Sequence, residues 1–387
     1  MKKTGLFNRS LFIKVLYKLR GGVITKRPGG TPKGWVLFSH DITPFINPDH
    51  PLEAHANYWT AVDMVQTFLE KGYAVDIINS RNKTFLPKKY YTYFVDLEQN
   101  MDRIAHLLNK DCIKILHITC AHWLFQNTAE YKRCLALKKR RGVVVLPSRL
   151  TPRTHSIERA DVATMIGNDF TEETYAFAGK KIYRTPLPPS RLCDFPEDKD
   201  FDAARKNFIW FGGAGAVHKG LDLALEAFSE MPEYTLTIFG KSTTDEEFTS
   251  AYKKELTELP NIHVLGFIDF QGEEFRKIQQ NTVALVYPSC SEGIAGAPVM
   301  SMHMGILPIV SYESGVDIAE SGITLKENTI ECIRESVRTI ANLPTEELRR
   351  RSKIGWEHAR SYYTRESYGN AYRAFVDELE KGMHKKS

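Results

Sequence analysis

The sequence predicts an α/β protein built from two Rossmann-like domains, each a doubly wound parallel sheet. Three observations carry this. Apolar, β-branched runs alternate with helical patterns along the chain, the signature of parallel strands joined by helical crossovers. At 387 residues the chain exceeds one ordinary core and suits two domains. Residues 186–206, TPLPPSRLCDFPEDKDFDAAR, are proline-rich and charged with no apolar period, and read as a linker. The expected division is 1–188, 189–364 and a terminal helix within 365–387.

In the first half, Trp35–Ser39 is the first strand, and the loop His40–His50 carries polar groups at its carboxyl end. Residues 52–71 have helical apolar spacing (Ala56, Trp59, Val62, Met64, Val65, Phe68, Leu69) and stop at Gly72. Val75–Ile78 and Tyr91–Val95 read as strands and Met101–Leu108 as a helix. Ile113–Ile118 is a fourth strand that runs into His117-Ile-Thr-Cys-Ala-His122-Trp123. A helix over Glu130–Lys139 and a strand over Val143–Leu146 follow. Ala160–Ile166 with Phe170–Phe177 repeats the unit, and Lys181–Thr185 closes it. No G-x-G-x-x-G follows the first strand, which argues against a dinucleotide there. His117, inside a strand, reads as a core residue; His122 projects from the loop.

In the second half, Asn207–Phe211 restarts a sheet and enters Gly212-Gly213-Ala214-Gly215-Ala216-Val217-His218-Lys219-Gly220, before a helix over Leu221–Met231. A P-loop needs G-K-[ST], and a Rossmann fingerprint starting at Gly213 needs glycine where His218 stands; both are rejected. The loop's amides still suit an anion, Lys219 is a fitting phosphate cation and His218 would add charge. Tyr234–Phe239 is a strand ending in Gly240-Lys241, Phe248–Leu259 a helix, and Asn261–Leu265 a strand leading into Gly266-Phe267-Ile268. After a helix at Phe275–Gln280 come two continuously apolar strands, Val283–Tyr287 and Ile306–Val310. Between them lie the loop 290–296 and a short helix opened by Pro298 and closed by Gly305. Ser289, Glu292 and Gly293 therefore sit at a strand's carboxyl end, where α/β sheets bind ligands, and at a helix mouth. Residues 328–343, 345–360 and 366–380 read as helices, the last rich in aromatics (Tyr368, Tyr372, Phe375).

The stretch VALVYPSCSEGIAGAPVMSMHMGILPIVS (283–311) resembles the donor-site signature of retaining GT-B glycosyltransferases of the GT4 type, the glycosyl transferases group 1. PSCSEG and then M-x-x-G-x-x-P-I-V match it in order. The resemblance implies that Glu292 bonds hydroxyls of the donor sugar, while the family's second, ribose-binding glutamate falls on Met300. Lys219-Gly220 is in register with the family loop G-R-x-x-x-x-K-G, which implies diphosphate binding by Gly212, Gly213, Lys219 and Gly293. The loop's arginine falls on Ala214 or a neighbouring glycine. Asn261–Asp269 is similar to N-I-x-F-L-G-x-V, which with the Gly240 strand end implies nucleotide contacts at Gly240, Lys241, Gly266, Phe267 and Ile268. In a family pattern V-x-H-x-H, His117 matches the first histidine and Thr119 replaces the second; His122 joins Glu292 as the catalytic candidate.

The implied whole is a GT-B fold, two sheets facing a cleft, with the terminal helix crossing back to the first domain. The implied chemistry is transfer, with retention, from a nucleotide-diphosphate sugar to a glycan or lipid-linked acceptor, as in cell-surface polysaccharide synthesis, without a metal or other cofactor. The departures at Met300 and Ala214 leave a second reading open: a catalytically silent GT-B fold that binds a sugar nucleotide or a glycan partner. A sugar-nucleotide epimerase would share the fold with a different histidine and carboxylate layout.

Composition bounds these readings. Apolar content of 42% and charge of 26% are those of a globular protein. No run reaches the ~20 apolar residues a membrane span needs, and the N-terminus lacks a signal peptide's apolar core. The cysteines, Cys112, Cys120, Cys134, Cys193, Cys290 and Cys332, form no C-x-x-C pair and read as reduced thiols of a cytoplasmic protein. A net charge of +5 is too mild for nucleic acid. The charge is uneven, with no acid before Asp41. Leu6, Phe7, Leu11, Phe12, Val15, Leu16 and Leu19 recur at helical spacing, making 1–28 a basic amphipathic segment. It suits either the surface of an anionic membrane or the outside of the first domain.

Overall fold

The computed structural model describes Tyr17 and residues 21–47, 56–241 and 245–384. Apart from Tyr17, the amphipathic stretch 6–19 lies outside the described residues. The first sheet contains β1 (Val23–Lys26), β2 (Gly34–His40), β3 (Tyr73–Asn79), β4 (Tyr93–Asp96), β5 (Ile113–Ile118), β6 (Val162–Ile166) and β7 (Ile182–Thr185). Its order is β1-β3-β2-β4-β5-β6-β7, parallel except that β1 runs antiparallel to β3. The second contains β8 (Asn207–Gly212), β9 (Thr235–Gly240), β10 (Ile262–Gly266), β11 (Ala284–Tyr287), β12 (Leu307–Ser311) and β13 (Ile323–Leu325), in the order β10-β9-β8-β11-β12-β13, all parallel. Strand order reverses between β8 and β11. That switch point opens a crevice at the carboxyl ends of both strands.

Three local expectations change. Val23–Lys26 pairs as an edge strand that its short half-exposed pattern does not announce. Val143–Leu146 forms no strand, because β6 pairs directly with β5 and leaves it no edge. Of that run only Val145 is buried, while Val144 and Leu146 are 60% and 61% exposed. The segment instead crosses to the second domain, where the Leu146 N–H donates to Glu247 at 2.9 Å. The helix expected over Phe248–Leu259 is two short ones, Glu246–Ala251 and Lys253–Thr257, the first capped by the Asp245 carboxylate.

The helices used below are α1 (Ala56–Glu70), α2 (Trp123–Arg141), α3 (Leu221–Ser229), α4 (Gly296–His303), α5 (Ile330–Ala341), α6 (Thr345–Ser361) and α7 (Arg365–His384). In α7 the aromatics recur at i, i+4 and i+7, so one stripe faces the protein. Tyr368 packs edge-on against Trp59 and Tyr372 against Phe68, both on α1 of the first domain. Lys33–Glu380, at 2.6 Å, and Lys71–Asp377 flank the stripe. The basic end of α2 reaches the other way. Arg140 pairs with Asp222 at 2.7 Å and Glu226 at 2.9 Å, and Arg141 with Glu255 at 2.7 Å. The two sheets are thus tied across the crevice by paired charges, as buried charges require. No described helix is long and apolar enough to cross a membrane.

Candidate active site

Two loops meet at the switch point: 212–220 after β8 and 288–293 after β11. Gly220 has φ +75°, and a Cβ there would lie 2.4 Å from the Pro288 carbonyl oxygen, so the loops approach this closely only with glycine. The Cys290 N–H donates to the His218 carbonyl at 2.9 Å, and the Trp210 indole N–H to the Lys219 carbonyl at 3.3 Å. With both loops held, the Lys219 ammonium reaches Glu292 Oε1 at 2.5 Å. The hydroxyls of Ser289 and Tyr287 donate to the same oxygen at 3.3 and 3.4 Å. Among the described residues nothing bonds Oε2. Burial pushes the Glu292 carboxyl up, but Lys219 and His218 outweigh it and hold the group down at about 2. Burial pushes Lys219 down and Glu292 outweighs it, so its ammonium is held well above the usual range. The pair is fully charged at neutral pH.

His218 lies behind this pair and is 1% exposed. Its Nε2 donates to the Ser291 carbonyl at 2.5 Å, and Nδ1 faces Glu130 of α2 at 3.4 Å and Cys290 Sγ at 3.7 Å. Burial opposes its charge, but Cys290 and Glu130 outweigh burial and raise it from 6.5 to about 9. A raised folded-state value stabilises fully below the ordinary one and fades as pH climbs through the raised one. Part of the protein's stability is therefore expected to vanish between pH 6.5 and about 9. Melts from pH 6 to 10 should show that loss in the wild type and not in His218→Asn. An equal slope in both would remove His218 from this role.

Gly212 lies opposite Gly240, the Lys241 N–H donates to the Gly212 carbonyl at 3.1 Å, and Gly266 lies opposite Phe239. Gly266, Gly240, Gly212 and the Glu292 loop therefore line the carboxyl edge of four adjacent strands. Gly213 and Phe267 are exposed, whereas the Ile268 side chain is buried and leaves only its backbone for a ligand. Gly293 has another use. A Cβ on it would lie 2.4 Å from the Thr119 carbonyl oxygen and 2.6 Å from that of Ile166, and its own carbonyl accepts from the Thr171 hydroxyl at 3.0 Å. Gly293 thus also marks where the 288–293 loop packs against backbone of the first domain.

Among the described residues no hydrogen bond or ion pair joins His122 to Glu292. His122 precedes α2, 9% exposed, with its ring edge-on to Tyr175 and Phe177; burial lowers its pKa. It lines a cavity of about 850 Å³ whose wall includes Cys290 of the Glu292 loop but not Glu292 or Lys219 themselves. His117 is the core residue its strand position implies: Nδ1 lies 2.8 Å from the Thr164 hydroxyl, and burial lowers its pKa to about 3. Met300 is 3% exposed in the apolar core. Met300→Glu would bury an unpaired carboxylate, with an expected cost of ~3–5 kcal/mol on the scale of unpaired buried charges. Denaturant unfolding checks this, and wild-type stability for the variant would show that the position opens to water. Sequence reasoning missed Tyr287, whose hydroxyl bonds Glu292, and Glu130 and Arg149, which lie against His218 and Gly215. Tyr287 ends a strand beside the motif; the other two reach the site from across the crevice.

Residues 205–342, which include both site loops, match the family described as Glycosyl transferases group 1. A segment of 98 residues is 30% identical to the glycogen synthase of Thermotoga maritima, covering 25% of this chain and 20% of that protein. The glycogen synthase of Thermotoga petrophila matches with the same identity and coverage. The match thus spans about a fifth of these relatives. Among solved structures, sucrose-phosphate synthase from Thermosynechococcus elongatus superposes with a TM-score of 0.59, 13% identity and coverage of 92% of this chain and 100% of that one. HepE from Anabaena, in complex with UDP and glucose, gives 0.57 at 11% identity, covering 90% and 99%. TarM of S. aureus gives 0.51 at 11%, covering 72% and 54%. At these identities the likeness is one of fold, and that fold is GT-B.

Proposed function

We propose that this GT-B chain, whose residues 205–342 match the glycosyl transferases group 1 family, is a retaining glycosyltransferase. It moves a sugar from a nucleotide-diphosphate sugar to a glycan or lipid-linked acceptor in polysaccharide synthesis. The observation that carries the reading is the charged Lys219–Glu292 pair at the switch point, at one end of a row of strand-end glycines. With ~4.8 Å between neighbouring strands, that row offers roughly 14 Å for an extended ligand. The base would lie toward Gly266 and Phe267, the diphosphate at Gly212, Gly213 and Lys219, and the sugar at Glu292. HepE, solved with UDP and glucose, supports this choice of ligand.

The chemistry follows from charge. As the bond between the anomeric carbon and the diphosphate oxygen breaks, negative charge grows on the leaving group. Lys219 and the loop amides stabilise that charge where it develops. Glu292, ionised, accepts hydroxyl hydrogen bonds from the sugar through its open Oε2. The acceptor oxygen bonds the anomeric carbon on the face the diphosphate leaves, and its proton passes to the departing diphosphate oxygen. Met300 in place of a carboxylate favours the second reading, a silent fold that binds a sugar nucleotide. Thermal melts with UDP-, GDP- and ADP-linked sugars test the shared part of both readings. A ligand at 100 times its dissociation constant should add ~2.7 kcal/mol of stability, and a flat response across the panel contradicts both.

A further inference from the structure

We infer that Arg149 of the first domain supplies the second cation of the diphosphate site, so that the donor is clasped between the two domains. The inference rests on the reading of the β8 and β11 loops as a nucleoside-diphosphate site. Charge motivates it. Lys219 is matched by Glu292, and His218 by Glu130. Within those two pairs no positive charge is left over for a diphosphate, and Ala214 contributes none.

Arg149 supplies what is missing. Its stalk lies across the glycine-rich loop: a Cβ on Gly215, at φ +96°, would come within 2.6 Å of Arg149 Cγ and 3.0 Å of Cδ. A side chain on Gly215 would push the arginine away. The charge of Arg149 reaches the site, helping to lower Glu292 and opposing the charge on Lys219. Arg149 is exposed and, among the described residues, its guanidinium makes no hydrogen bond or ion pair. A guanidinium in this state is ready for phosphate oxygens, whose geometry it matches in a bidentate fashion.

The backbone of Arg149, by contrast, is clamped. Its N–H donates to Glu130 at 2.8 Å, and its carbonyl accepts from Gln126 at 2.7 Å. Glu130 also takes the Ser148 N–H at 2.8 Å and faces His218, the neighbour of Lys219. One carboxylate on α2 therefore sets Arg149 and the phosphate loop relative to each other, which makes Glu130 a positioning residue. Because Arg149 follows α2 and Lys219 follows β8, a diphosphate held by both adds a tie across the crevice.

The test is calorimetry on the full chain with UDP, GDP and ADP and with uridine, guanosine and adenosine, for wild type, Arg149→Gln and Arg149→Lys. Arg149→Gln should melt like wild type and weaken the preferred diphosphate by ~10–100-fold, the worth of a charge-assisted hydrogen bond. It should leave the nucleoside unchanged and reduce the salt dependence of diphosphate binding. Arg149→Lys should restore part of the loss. Unchanged diphosphate affinity in Arg149→Gln overturns the inference and leaves the site reading standing. Equal losses for nucleoside and diphosphate overturn it as well, because the arginine would then act on the fold. If wild type binds none of the three diphosphates, the site reading falls and takes the inference with it.

Discussion

Glu292→Gln is expected to lower turnover by ~10²–10³-fold, the range for removing one preorganised polar group at developing charge, while nucleotide affinity changes little. The carboxylate is ionised, with its pKa at about 2, and three donors, from Lys219, Ser289 and Tyr287, converge on Oε1. That convergence fixes the carboxylate and leaves Oε2 without a partner, and hydrogen bonds from a donor sugar there would raise the rate only where they tighten in the transition state. Glutamine keeps the shape and one acceptor but loses the charge. It also frees Lys219 for the diphosphate, which is why binding should survive. Transfer or hydrolysis rates set beside calorimetric affinity check this. Wild-type turnover in the variant would reduce Glu292 to a structural group at the mouth of α4.

Lys219→Ala carries the second large effect. Losing one charge-assisted bond should weaken nucleoside-diphosphate binding by ~1.5–3 kcal/mol. Read from the sequence as a residue that holds the diphosphate, Lys219 predicts a melting temperature nearly unchanged on substitution. The ion pair alters that expectation: both side chains are 11% exposed, and removing the lysine leaves Glu292 unpaired. Breaking such a pair costs ~3–5 kcal/mol when fully buried, and protonation of the carboxyl relieves part of it. The pH dependence separates the two ideas. Glu292 sits at about 2 against an ordinary 4.5, so its contribution is present above 4.5 and is lost as pH falls toward 2. Wild type should lose stability across that window and Lys219→Ala should lose less. Equal acid profiles would mean that the pair contributes nothing to the fold.

Most strands were legible because strands covered on both faces appear as unbroken apolar runs, as in Val283–Tyr287 and Ile306–Val310. The same rule misled at Val143–Leu146, where a β-branched run is an exposed crossing segment. Periodicity cannot tell the two apart, since the difference lies in whether β5 has a free edge. Lys219 and Glu292 were legible because each sits in a local motif at a strand end. Their pairing was not, because it depends on Gly220 seating one loop under Pro288. Glu130 and Arg149 carried no signal near the motifs, since they enter the site from α2 and the segment that follows it. Met300 was visible as a missing carboxylate, but its burial in the core shows only in three dimensions.

Turnover of the donor without acceptor tests most directly whether the loops after β8 and β11 form the donor site of an active transferase. The full chain would be incubated with the nucleotide sugar that raises its melting temperature, and release of the nucleoside diphosphate followed by phosphorus NMR. Wild type is expected to release it slowly, and Glu292→Gln to bind the same donor and release almost none. A donor that binds wild type and stays intact with or without acceptors, or equal release by both proteins, would contradict the claim.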